Sequence, residues 1–521
     1  MNKQMLIRIL AITTAASVVF GFSSCNMGGR ITNSSEASSS SISTEPTTEE
    51  TTATETEPDK SQIDFKASKK ISVETTEKKK AYQSKNADEC VIIATGEKKK
   101  INLSAPDIKK AGDTSNADNS AIFGVNSAVL AMGNSRLYIA GGSITTEANG
   151  AAGVFGYAGY GNVAGITGDG TRVTLSDAKI TTSGDNSAGI ATSYGATFGI
   201  TNLTVQTNGK SSPAISLGKD GGNVTITKGT YTTNGTGSPA VYGTGTVTVK
   251  SSNLIANNSE GVVVDENSTV SLADSNLTCN NTARNEKARF QYGILLYQKV
   301  PVNYFDNNTM AVFSMANGTL TNKAGHIFHI TNTKGVVNLS NVKIVNEAKE
   351  NVFLYVGPDG WTGGNNVAIL NATNTAINGD ILVAKEGKLN VNLSTGTSFT
   401  GSFKGDFKDA DGKPVSSEPG IIHVNLGTGA TWTLTDDTFI TSFSGNIENV
   451  NLNGHTLNIS GETTKPTAAP TSKPATVKKP TKKPTKKPTK KPTKKPKKKA
   501  TATPKPAETT NPNAQQGQQN P

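Results

Sequence analysis

Few residues of this 521-residue chain are spaced for covalent chemistry. Cleaving a glycosidic bond takes two carboxylates at a set separation. The one Asp-Asp pair is Asp436-Asp437, in "LTDDTF". On a strand such neighbours point to opposite faces, so the pair does not read as catalytic. Asp169, Asp177, Asp185, Asp220, Asp265 and Asp274 stand singly among turn residues. Asx-turns and solvated corners account for them. No cofactor is implied, and calcium finds no supporting cluster. "HIFHI" sets His326 and His329 three apart. In a strand that divides the rings between two faces, a poor arrangement for zinc. No Gly-x-Ser-x-Gly elbow, phosphate loop or dinucleotide fingerprint occurs.

The aromatic residues point to binding instead. "VFGYAGYGN" (154–162) sets Tyr157 and Tyr160 in a Gly-rich loop, Tyr194 follows in "TSYGATF", and "GPDGWTGGNN" (357–366) holds Trp361. Glycine neighbours are expected to expose these four rings. Beside Asn, Asp and Thr they would form platforms for a carbohydrate.

The elements that must carry these residues repeat. "KITTSGDNSAGI", "TVQTNGKSSPAI" and "TYTTNGTGSPAV" are successive copies, and such periods mark stacked architectures. The apolar anchors Ile144, Ile180, Val205, Tyr231, Leu254 and Leu277 are 36, 25, 26, 23 and 23 residues apart. Ahead of each lies an alternating apolar pair, from Leu137/Ile139 to Val270/Leu272. Behind come Val154, Ile190, Ile215, Val241 and Val263. Each unit is therefore three short strands divided by Gly/Asn/Ser turns. Stacked units bury each other's inner faces, and small residues such as Ala188, Gly189, Ala214 and Ala240 suit a narrow interior. The expected fold is all-β, a right-handed parallel β-helix (β-solenoid) over 65–461. Rungs are regular over about 115–280 and irregular over 281–461. A propeller blade, at about 40 residues, is too long for this period; a β-sandwich is the other alternative. The gaps near 281–306 and 347–365 read as inserted loops, and no stretch shows a capped helical stripe. Asn453-Gly454 reads as a closing hairpin that would protect the last rung's edge.

Disordered tails are expected on both sides. Residues 1–24 have the basic start (Lys3, Arg8) and apolar run of a secretory leader. The leader ends in "FSSC", which resembles the lipobox of bacterial lipoproteins; by that resemblance Cys25 is the lipidated first residue of the mature chain. Residues 25–64 form a Ser/Thr/Glu-rich tether with too little apolar surface to fold. Residues 462–521 hold 16 Lys against 2 Glu, including "KKPTKKPTKKPTKK". Proline at every fourth residue favours an extended polyproline II chain. The net charge of +11 belongs to this tail, since 61–461 sums to zero. No aromatic residue interleaves its lysines, so specific nucleic-acid binding is not expected; anionic cell-wall polymers are the expected partner. Cys90 and Cys279 have no CxxC neighbour and read as small buried residues.

"TTSGDNSAGI", "TNGKSSPAI", "TNGTGSPAV", "YGILLYQ" and "TWTLTDDTFI" resemble secreted Gram-positive proteins described as right-handed parallel β-helix, pectate-lyase-like or adhesin-like. The resemblance covers roughly 115–460 and carries over no catalytic residue. It implies a monomeric surface lipoprotein, anchored to the membrane by its N-terminal lipid and extending into the cell wall. Its β-helix would serve adhesion to a host surface or polysaccharide binding. A polysaccharide lyase or hydrolase, and a structural wall spacer, are the alternatives.

Overall fold

The computed structural model describes residues 62–159, 168–285, 288–298, 310–361 and 365–460, and the backbone of 462–464. The leader, Cys25, nearly all of the tether, the tail beyond Thr464 and Tyr160 lie outside them.

Thirteen parallel strands, one per turn, stack into an outer sheet from Lys66–Ile71 to Phe403–Lys404. The rest of each turn runs through a bent sheet of eighteen strands, and four short strands extend it toward the C-terminus. The chain is a right-handed parallel β-helix, about 60 Å long at the spacing of neighbouring strands. The anchors occupy equivalent places: Ile144, Ile180, Val205, Tyr231, Leu254 and Leu277 are partners in register, and all are buried. The third series slips by one at its end. Val241 pairs with Val262, and Val263 faces outward.

The repeated turn has a hydrogen-bonding and a steric cause. Thr182, Thr207 and Thr233 each donate Oγ1 to the carbonyl of Ser187, Ser212 and Ser238, five residues on. Those serines stitch rungs together: Ser187 N donates to Ser212 Oγ at 2.9 Å, and Ser212 N to Ser238 Oγ at 2.9 Å. Gly184, Gly209 and Gly235 sit where the backbone of the preceding rung passes. A Cβ at Gly235 would lie 1.7 Å from the Gly209 carbonyl oxygen. Here glycine serves close approach, not a left-handed backbone.

The bend in the long strands is a single left-handed residue, repeated in register: Asp177, Asn202, Lys228, Ser251, Asp274, Asn317, Asn341 and Asn374, with φ between 46° and 65°. Asn and Asp tolerate this region best among residues with a side chain. Their amides also stack: Asn341 Nδ2 donates to Asn317 Oδ1 at 2.9 Å, and Asn374 Nδ2 to Asn341 Oδ1 at 3.0 Å.

Three expectations need correction. The first strand begins at Lys66, inside the expected 65–461, but a short capped helix was not expected: Ala117–Phe123 is capped by Asn116, whose side chain accepts from Asn119 N. The two gaps contain core strands, Tyr292–Tyr297 and Val352–Val356. Both faces of these strands are buried, so they lack the alternation that marks a half-exposed strand. Asn453-Gly454 is a rung corner, with left-handed φ at both residues. The antiparallel hairpin comes later, between Leu457–Ile459 and Glu462–Thr464.

Candidate binding surface on the outer sheet

One outward residue per strand forms a column across the outer sheet. In order it reads Leu130, Phe155, Ala191, Ser216, Tyr242, Val263, Leu295, His329, Tyr355 and Leu382. Such a column would normally face water. Here two caps cover most of it. The first is the helix Ala117–Phe123 with Phe65, packed on Phe155, Tyr157 and Tyr194. The second is built from chain around Ala288–Phe290, the Asp359–Trp361 turn and the hairpin Asp406–Lys408/Pro414–Ser417. Between the caps, Ser216 and Tyr242 keep part of their surface open. This saddle is the candidate site.

Its side chains come from five turns of the β-helix. Tyr242 Oη donates to Asp265 Oδ2 at 2.5 Å. Asp265 stands in register with Tyr297, whose hydroxyl joins the same network. Burial first, then the charge of Asp265, raise the pKa of Tyr242 well above that of an ordinary tyrosine, so it stays a donor. Glu266 follows on the rim. Burial, reinforced by Asp265 and Asp220 and opposed by Lys219, pushes its carboxyl up to about 7. Trp361 is half-buried and meets the Tyr297 ring edge-on, with centroids 5.1 Å apart. The saddle thus combines phenolic donors, carboxylates, one ammonium and an indole.

The predicted aromatic platform does not form as expected. Tyr157 and Tyr194 are buried, with rings 5.4 Å apart under the first cap. The glycines make room for the rings instead of exposing them: a Cβ at Gly159 would come within 3 Å of both. Tyr160 lies outside the described residues. Trp361 alone of the four borders the saddle.

The acidic residues also divide. Asp169 Oδ1 accepts from Thr171 N at 2.9 Å, and Asp185 Oδ1 from Lys210 N at 2.8 Å, as turn residues do. Asp265 differs. It is a buried strand residue, and with Asp220 and Glu266 it makes a cluster spanning sequence distances that no local pattern reveals. The only local signal was "VVVDEN", where an acid follows three valines inside a strand. Asp436 and Asp437 lie in a turn after the strand Thr431–Thr433. Asp436 shares Lys404 with Asp380, at 3.2 and 3.0 Å. Burial opposes the charge of Lys404, but these two contacts outweigh it and raise its pKa.

His326 and His329 do not diverge. Both rings enter the second cap, 6.0 Å apart, because the strand alternation breaks between Ile327 and Phe328, both of which join the inner core. His329 Nε2 lies 2.6 Å from Asp359 Oδ2, without the alignment of a hydrogen bond. Asp359 Oδ1 accepts from the backbone N–H groups of Arg289 and Gly360 at 2.6 and 2.7 Å. Burial, then His329, hold His326 well below the usual histidine pKa, so it is neutral. Among the described residues no group of three or more His, Cys, Asp or Glu is arranged to hold a metal ion. Cys90 and Cys279 are free and buried, and burial pushes both thiols up to about 12.

No family model, no curated protein and no solved structure matches the chain.

Proposed function

We propose that this chain is a surface lipoprotein, held by a lipid on Cys25, whose β-helix binds polysaccharide across the saddle without cleaving it. The observation that carries the binding reading is the interruption of the two caps at Ser216 and Tyr242. There two outer-sheet residues that carry hydroxyl groups, Ser216 and Tyr242, keep part of their surface exposed, with an indole at the edge. Sugars present hydroxyls and apolar ring faces, and convergent polar groups beside aromatic surface suit both. The Lys/Pro tail would associate with anionic wall polymers through charge.

A second reading has one specific support. A carboxyl near pH 7 beside a second carboxylate and a lysine has the proton affinity that general acid–base catalysis uses. A lyase or hydrolase acting in the saddle is therefore the competing function.

The test is retention of the full chain on a panel of plant, host and wall polysaccharides, with and without calcium. Release of unsaturated or reducing ends is followed in parallel. Retention without product supports binding. Product that disappears with Glu266→Gln converts the saddle into an active site. Absence of both would leave a structural spacer or a protein-binding adhesin.

A further inference from the structure

Zero net charge over 61–461 conceals a strong polarity. Residues 66–110, the first two turns of the helix, hold 12 lysines against 6 carboxylates. Residues 111–461 hold 20 basic against 25 acidic residues. The lysines lie on strands and corners of the first two turns. Lys69 and Lys70 are on the first strand, Lys78–Lys80 at the next corner, and Lys98–Lys100 at a corner of the second turn. All of these are exposed. Lys80 pairs with Glu77 and Lys98 with Glu97, while Lys69, Lys70, Lys78, Lys79, Lys99 and Lys100 make no ion pair among the described residues. Val73, 62% exposed, stands on the same first turn.

Lysine on an edge strand also prevents sheets from pairing end to end. That role covers Lys69 and Lys70, whose strand has one neighbour in its sheet. It does not cover Lys98–Lys100. The second-turn strands on either side of that corner, Glu89–Ala94 and Lys100–Ser104, are paired on both edges. Lys110, by contrast, is structural. It is buried and donates to the carbonyls of Asn86, Ala111 and Gly112 at 2.7–2.8 Å.

We propose that the basic first two turns dock end-on against an anionic lipid bilayer. Exposed lysines on the first two turns, with one exposed apolar residue on the same first turn, match the interface of a negatively charged leaflet. The tether enters the folded body at this same turn, so a chain held by Cys25 would present this end to the membrane. A lipid chain gains stable anchoring from a second, basic signal. The docking surface deepens the anchoring reading and rests on it for its biological setting. Its test does not, because it uses the full chain carrying Cys25→Ser.

Lysine acylation footprinting, read by mass spectrometry, separates the first turns from the tail. With phosphatidylglycerol–phosphatidylcholine vesicles, modification of Lys78, Lys79, Lys99 and Lys100 is expected to slow by roughly tenfold or more. Lys343 and Lys388, exposed on distant turns, are expected to react at an unchanged rate. Lys78→Glu/Lys79→Glu/Lys80→Glu is expected to abolish protection of Lys99 and Lys100 while circular dichroism stays native. Protection confined to the tail overturns the proposal. So does equal protection by phosphatidylcholine alone. Equal protection by soluble polyglycerol phosphate also overturns it and assigns these lysines to a wall polymer. Loss of lipidation in cells with protection intact would fault the Cys25 reading alone.

Discussion

Glycine performs two tasks in this chain, and substitutions separate them. At Gly235 the preceding rung leaves no space for a Cβ. Gly235→Ala is expected to cost roughly 3 kcal/mol, measured by thermal or chemical denaturation. At Gly199 a Cβ meets nothing within 4 Å, and the register partners are Thr174 and Thr225. Gly199→Thr is expected to stabilise by about 0.5–1 kcal/mol, because it removes backbone freedom and adds a strand-favouring side chain. Glu266 gives a pH signature. Its folded pKa of about 7 exceeds the ordinary 4.5, so the native state holds a proton that the unfolded state releases. Stability should therefore fall as pH rises from 4.5 to about 7 and level off above. Glu266→Gln should remove that component of the pH profile. A profile unchanged by the substitution would place the carboxyl in water.

The strand bends show how far single elements were legible. The alternation around Val173, Phe198, Val224 and Val247 gave the inward face directly, because the opposite face meets solvent. Tyr292–Tyr297 and Val352–Val356 escaped notice because inserted chain covers their outer face and erases the alternation. Asn453-Gly454 misled for another reason. Its left-handed pair suits a rung corner as well as a hairpin. The bend column itself was invisible as a function of single residues, since Asp, Asn, Lys and Ser all occupy it. Its energetics are testable at Asn341, which donates to Asn317 and accepts from Asn374. Asn341→Val is expected to lose about 2 kcal/mol, from a strained left-handed backbone and the broken ladder. Asn341→Gly keeps the backbone relaxed and should lose about 1 kcal/mol or less. Equal losses would mean that the ladder, not the backbone, dominates.

At the scale of the whole molecule, function lies in what the repeats do not share. The stacked turns supply a scaffold, and the insertions decide which part of the outer sheet meets solvent. Sequence reading placed carbohydrate contact at Tyr157 and Tyr194, which became the floor of a cap. The saddle could not be read beforehand, since Lys219, Tyr242, Asp265 and Tyr297 meet only after stacking brings successive turns together. Charge is likewise distributed by turn: the first two are basic and the remainder slightly acidic. The most direct measurement is the affinity of the full chain, beside Tyr242→Ala and Trp361→Ala, for whichever polysaccharide retains it. Binding across the saddle predicts that each substitution weakens affinity by about tenfold or more, with native circular dichroism and no cleavage of the polymer. Undiminished affinity in both variants would contradict a binding site in the saddle.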